Sequence, residues 1–248
     1  MLKHIFSTLV VASLLAGPAT ATDINEMTEA ERQTFRAEVR AYLLENPEVL
    51  MEAIAVLEAR EAEAQAANDA SLLQVNAEAL YNDPASWVGG NPEGDVTIVE
   101  FLDYRCGFCR RAHPEVEALI AADSNIRLIV KEFPILGEQS VISSRFAVAT
   151  LQLAGDDAYK AAHDALIAVR GELDERALRQ IAVGLGLDAD AILAHMGSDE
   201  VSQVIADNRA LGQRLQINGT PSFVFADQVM RGYLTLDQMQ ALVEDARG

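Results

Sequence analysis

The stretch Val96-Thr97-Ile98-Val99-Glu100-Phe101-Leu102-Asp103-Tyr104-Arg105-Cys106-Gly107-Phe108-Cys109 decides the reading of this chain. Its first half is a short β-branched and aromatic run, the composition of a buried strand. Its second half holds the only two cysteines of the 248 residues, and a helical pattern runs from Cys106 to Ala122 with Pro114 inside it. The two-residue spacing lets both sulfurs occupy the first turn of that helix. There the unpaired backbone N–H groups and the positive end of the helix dipole favour thiolate over thiol. Thiolate is the species that attacks a disulfide. Cys106, at the helix start, is therefore expected to be the nucleophile. Cys109, one turn in, is expected to attack the resulting mixed disulfide and release the bound partner.

Other uses of the pair fit less well. A disulfide closing so small a loop constrains almost nothing in the unfolded chain. A closed structural zinc site needs four ligands. Besides the cysteines, the expected mature chain offers His113, His163 and His195, and no two of these lie close in sequence. Cys106, Cys109 and His113 could make an incomplete soft-metal site, but no metal or organic cofactor is expected. His113 itself reads as a polar residue on the helix surface. Arg105, Arg110 and Arg111 flank the pair; they either add positive charge beside Cys106 or are solvated helix residues.

Working outward, Ile126 to Phe133 reads as a second strand closed by Pro134. Residues 138–215 are helical by pattern, with breaks near Gly155, Gly171, Gly186 and Gly197. Asn218-Gly219-Thr220-Pro221 is a turn. Strands at Ser222–Ala226 and Gln228–Gly232 follow, then a helix from Leu236 to Ala246 capped by Thr235. A strand–helix–strand unit and a terminal hairpin with its helix can share one sheet, which makes the helical block an insertion.

Upstream, residues 82–95 contain Asn82-Asp83-Pro84 and Gly89-Gly90-Asn91-Pro92 and read as a linker. Residues 22–81 are rich in good helix formers. Thr28 and Glu31 have the spacing of a capping box, and Asn46-Pro47 suggests a break and a new start. Leu43, Leu50, Leu57 and Ala64 recur every seven residues, a short heptad signal; such a stripe is buried either on the same stripe of another copy, giving an oligomer, or on the chain's own helical insertion, leaving a monomer. Residues 1–21 have the form of a signal peptide: Lys3 and His4, an apolar run from Ile5 to Ala16, and Ala19-Thr20-Ala21 as a cleavage site. That run is shorter than the ~20 residues of a membrane span. An exported protein, soluble after cleavage near Thr22 and periplasmic or otherwise outside the cytoplasm, is expected. The net charge of −19 excludes nucleic acid and anionic membrane surfaces, which select clusters of Lys and Arg.

The strand ending in Glu100-Phe101-Leu102-Asp103-Tyr104, the motif Cys106-Gly107-Phe108-Cys109, Pro114 in the helix and Thr220-Pro221 before a strand together resemble the thioredoxin superfamily. The helical insertion is similar to that of the DsbA branch. Lys131-Glu132-Phe133-Pro134 and Asn46-Pro47-Glu48-Val49-Leu50 resemble the ScsC (suppressor of copper sensitivity) group. The resemblance implies an α/β fold: a thioredoxin fold over 96–248 with an inserted helical subdomain and an N-terminal helical appendage. It implies that Cys106 and Cys109 are the redox pair and that Glu100 is the buried acid beneath them. It implies a cis-proline at Pro221, contacting client peptide together with Thr220, Gly107 and Phe108. The Gly107-Phe108 dipeptide departs from the Pro-His of DsbA and is closer to the Gly-Tyr of the DsbC isomerase, so oxidase and isomerase both stay open. The implied partners are exported proteins with cysteines and a membrane thiol oxidase or reductase that resets the pair; a homotrimer is also implied. A copper- or zinc-sequestering thiol protein and a non-catalytic assembly module are the competing readings. For Glu100, the competing reading is a water-facing glutamate on an edge strand.

Overall fold

The computed structural model describes residues 26–248; the expected signal segment 1–21 lies outside them. The chain divides into two compact units, one ending at Arg60 and one running from Glu61 to Gly248. In the first, helix α1 (Glu29–Glu45) starts on the expected capping box. The Glu31 amide donates to Thr28 Oγ1 at 3.4 Å, and the Thr28 amide donates to Glu31 Oε2 at 2.8 Å. Asn46 ends α1, and Pro47 leads into helix α2 (Glu48–Val75). No residue of α1 is buried. Phe35, Val39, Tyr42, Leu44, Leu50, Met51, Ile54 and Leu57 are all exposed.

The second unit is built on a five-stranded mixed sheet in the order β1-β3-β2-β4-β5. These are β1 (Trp87–Gly90), β2 (Val96–Leu102), β3 (Ile126–Glu132), β4 (Ser222–Phe225) and β5 (Gln228–Arg231). β2 and β3 run parallel, joined by helix α4 (Gly107–Ala122), while every other pairing is antiparallel. β2 is thus an inner strand, buried on both faces, which is why its sequence is a continuous apolar run rather than an alternation. Ile98 and Leu102 pack on one face with Val116 and Leu119 of α4 and with Met239 and Val243 of helix α10 (Leu236–Arg247). Val99 and Phe101 pack on the other with Ile129, Phe133, Leu211 and Leu215.

The expected helical insertion consists of α5 (Glu138–Ala154), α6 (Asp156–Ala168), α7 (Glu175–Gly184), α8 (Ala189–His195) and α9 (Asp199–Arg214). Asp174, Asp188 and Ser198 cap α7, α8 and α9 by accepting from backbone amides, each worth about 1 kcal/mol. Phe146, Tyr159 and Leu166 of α5 and α6 join the same apolar cluster as α4. The α4–α6 contact brings His113 of α4 against His163 of α6.

Two expected boundaries need correction. Residues 82–95 are not a bare linker, because β1 lies within them and pairs with β3, Trp87 opposite Val130. The Gly89-Gly90 pair that suggested a turn has a packing reason: the Trp87 ring fills the space a Cβ on Gly89 would need. Trp87 stacks on Tyr159 at 5.3 Å between centroids. Asp83 receives the fully buried Lys131 ammonium at 2.7 Å. Nor does the N-terminal region separate at residue 81. Leu73 at the end of α2, and Leu80 of helix α3 (Ala77–Tyr81), pack with Val99, Phe101 and Val224. Burying each stabilises the second unit by about 2 kcal/mol. The Arg231 guanidinium also pairs with Asp69 at 2.8 Å.

Candidate active site

Asp103, immediately after β2, organises the turn into α4. Its backbone carbonyl accepts from the Cys106 amide at 3.0 Å. Its buried carboxylate accepts from the amides of Arg105 (2.8 Å), Ile135 (2.8 Å) and Leu136 (3.0 Å). One side chain thereby ties the cysteine loop to the segment after β3. Cys106 is the N-cap residue of α4, with extended backbone angles, and both cysteines are free thiols.

The two sulfurs differ sharply. Cys106 is held down to about 5. The chief cause is a hydrogen bond from the Cys109 thiol, which outweighs the opposing effect of burial; the amides of Cys109 and Phe108 add to it. The Cys106 S–H also lies 3.0 Å from the Thr220 carbonyl. That contact favours the thiol, but a single acceptor is outnumbered by the donors. Cys109 is 1% exposed and is pushed far up: first by burial, then by its hydrogen bond to Cys106 and by the Glu100 charge. Cys106, 7% exposed, is thus a thiolate at the edge of the core, and Cys109 a fully covered thiol. None of the three arginines accounts for this. Arg105 donates to the Gly171 carbonyl at 2.7 Å and Arg110 to that of Tyr104 at 3.3 Å, while Arg111 stacks over Phe108 at 5.5 Å.

The Thr220–Pro221 bond is cis, and Thr220 meets Cys106 across the site. The Thr220 hydroxyl oxygen is buried without a protein partner. Phe108 is exposed, as is Leu136 on the neighbouring segment. Glu100 sits in mid-β2, beside Val130 and Phe223, and is 5% exposed. The water-facing edge reading does not hold, because β4 and β3 flank β2 on both sides. Burial, reinforced by the Glu117 and Glu132 carboxylates, pushes Glu100 up to about 8.

A second buried acid escaped the sequence reading. Glu132, at the end of β3, accepts from the Tyr104 hydroxyl at 2.7 Å and the Tyr159 hydroxyl at 2.6 Å. Burial pushes it up to about 7 against those hydrogen bonds. Tyr104 also contacts His163 Nδ1 at 3.1 Å. An acid within an apolar strand run was the available signal. Its tyrosine partners lie 27 and 28 residues away and carry no local mark. His113 and His163, 50 positions apart in the chain, meet with ring centroids 5.1 Å apart. His113 is therefore not a simple surface residue.

Residues 97–244 match the DSBA-like thioredoxin domain family, and residues 31–64 match the copper resistance protein ScsC N-terminal domain. A thioredoxin-like oxidoreductase from Silicibacter pomeroyi DSS-3 is 45% identical, with a TM-score of 0.65, covering 68% of this chain and 96% of that one. ScsC of Proteus mirabilis, in a transitional conformation, is 28% identical with a TM-score of 0.65, covering 90% of this chain and 98% of its own. The Na(+)/H(+) antiporter NhaA 1 of Salinispora arenicola (strain CNS-205) is 29% identical over 160 residues, 64% of this chain. The chain spans 24% of that curated relative's length. Among the described residues, no helix is long and apolar enough to cross a membrane.

Proposed function

The chain belongs to the DSBA-like thioredoxin family of thiol–disulfide oxidoreductases, and from that premise we propose that it forms or isomerises disulfides in exported proteins through a mixed disulfide on Cys106. The observation that carries this reading is the asymmetry of the pair, a Cys106 thiol held down to about 5 beside a covered Cys109 thiol pushed far up. In the oxidising direction, a client thiolate attacks Cys106 Sγ of the Cys106–Cys109 disulfide. The S–S bond breaks and Cys109 leaves as thiolate. Glu100, protonated near neutral pH because burial raises it to about 8, hands it a proton. A second client thiolate then attacks the client sulfur of the mixed disulfide. A client disulfide forms, two electrons remain on the pair, and Cys106 leaves as the stabilised thiolate. A membrane thiol oxidase would remove those electrons; a reductase partner would instead keep the pair reduced for isomerisation. Thr220, Pro221, Gly107 and Phe108 are assigned to client binding, and the unpartnered Thr220 hydroxyl suits a peptide backbone group.

The test is the pH dependence of alkylation in the reduced protein. With Cys106 at about 5, about 99% of it is thiolate at pH 7 and only about a tenth at pH 4. Brief labelling followed by peptide mapping is expected to modify Cys106 alone, with a midpoint near pH 5. A midpoint above pH 8, or preferential labelling of Cys109, would overturn the assignment.

Isomerisation is the reading favoured by the first unit. Apolar side chains exposed along α1 and the start of α2 need a partner surface, and we assign it to the same helices of other copies in a homotrimer. Several Cys106 thiolates around one space would attack a misfolded client repeatedly, since tethering raises effective concentration. Light scattering of the chain beginning near Thr22 is expected to give three copies, and Leu50→Glu with Leu57→Glu to give one. Scrambled-disulfide refolding should slow in the double variant while its small-thiol exchange is unchanged. A monomeric parent protein would end the trimer proposal.

A further inference from the structure

Two imidazoles and a carboxylate converge where α4 packs on α6. His113 comes from α4, and His163 and Asp164 are adjacent on α6. One ligand atom from each lies within 4.8 Å of the other two. His113 Nε2 is 3.2 Å from Asp164 Oδ1. An ion bonded at about 2.0–2.2 Å requires these atoms to close in modestly, within reach of side-chain rotation for half-buried His113 and for Asp164.

A second observation points to a ligand. His163 is 5% exposed, and its Nδ1 is engaged by the Tyr104 hydroxyl at 3.1 Å. That hydroxyl in turn donates to Glu132 at 2.7 Å. With Tyr104 Oη committed as donor to Glu132, Nδ1–H donates to Oη, and the lone pair is left on Nε2. This carboxylate–hydroxyl–imidazole chain is the outer-shell arrangement that fixes the tautomer and ring orientation of a metal-ligating histidine. A histidine serving only as core filler does not require it.

We propose that His113, His163 and Asp164 form a divalent transition-metal site, with Zn2+ the ion their donor set fits. Two nitrogens and one carboxylate match a borderline ion, and three protein ligands leave a fourth position open. The site is separate from the cysteine pair. Its competitor is Lys160, whose ammonium lies 2.6 Å from Asp164 and 3.2 Å from Glu117. An entering cation displaces that ammonium from Asp164 and leaves it on Glu117.

The probe is Zn2+, titrated by calorimetry into full-length protein whose Cys106–Cys109 pair has been oxidised, which removes both thiolates as ligands. One ion per chain is expected. Co2+ in its place should show visible d–d bands without the near-ultraviolet thiolate band. His113→Ala and Asp164→Asn should each weaken Zn2+ at least ~10-fold, and Tyr104→Phe about 10-fold by releasing His163. Lys160→Met should tighten it. No binding at millimolar Zn2+, affinity unchanged in both His113→Ala and Asp164→Asn, or weaker binding in Lys160→Met would each overturn the site.

Discussion

Replacing Cys106 with serine is expected to abolish disulfide exchange, a loss of ~10^3-fold or more, whereas replacing Cys109 with alanine is expected to trap clients. Serine puts a hydroxyl at the N-cap of α4. A hydroxyl remains protonated at pH 7 where the Cys106 thiol, lowered to about 5, does not. Deleting an activated nucleophile removes the covalent pathway itself, which is why the effect exceeds that of any neighbouring residue. Cys109→Ala leaves a nucleophile that can open a client disulfide and lacks the internal thiol that releases it. It also removes the hydrogen bond that contributes most to lowering Cys106, so the alkylation midpoint should rise. Non-reducing gels and mass spectrometry would show the mixed disulfide. Residual exchange in Cys106→Ser, or trapping by Cys106 only when Cys109 is present, would reverse the roles.

Glu100→Gln carries the second large effect, and it appears in both stability and rate. Burial raises Glu100 from an ordinary carboxyl value of 4.5 to about 8. Between those values the folded state holds a proton that the unfolded state has released. Stability attributable to this group is therefore fully present below about pH 4.5 and is lost as pH rises towards 8, at about 1.4 kcal/mol per pH unit. At pH 7 the accumulated loss is ~3 kcal/mol. Glutamine does not titrate, so the variant should lack that slope. Glu132, itself raised to about 7, is coupled to Glu100 through their charges, so the difference between the two proteins reports Glu100 together with its effect on Glu132. Urea unfolding at intervals from pH 5 to 8 measures it. Exchange should slow about 10^2-fold in the variant, with loss of the step near pH 8, because Cys109 no longer has a proton donor. Parallel stability curves with unchanged pH–rate profiles would remove Glu100 from the mechanism.

The sequence alone determined the features that rest on neighbours along the chain. The strand from Val96, the CxxC pair at a helix start, the helical block and the Thr28 and Thr235 caps follow from local composition and spacing. So does the capacity of Cys106 to be a thiolate, because its chief hydrogen-bond donor, the Cys109 thiol, lies three residues along the same chain, with the amides of Cys109 and Phe108 adding to it. Tertiary structure decided the rest. Glu100 could have faced water until β3 and β4 enclosed β2. Residues 82–95 looked like a linker until Trp87, folded over Gly89, made them an edge strand and Asp83 met Lys131. Leu73 and Leu80 carried the pattern of an appendage, yet they cover the sheet face that holds Val99 and Phe101. Glu132 of β3, Tyr104 of the turn before α4, and Tyr159 and His163 of α6 come from three separate segments, and His113 meets His163 only because α4 packs on α6. Each of these residues is unremarkable within its own helix or strand. Their chemistry comes from burial and from partners that only the packing of distant segments supplies: burial raises a carboxyl well above its ordinary range, and the Tyr104–Glu132 hydrogen bonds hold the His163 imidazole in one tautomer.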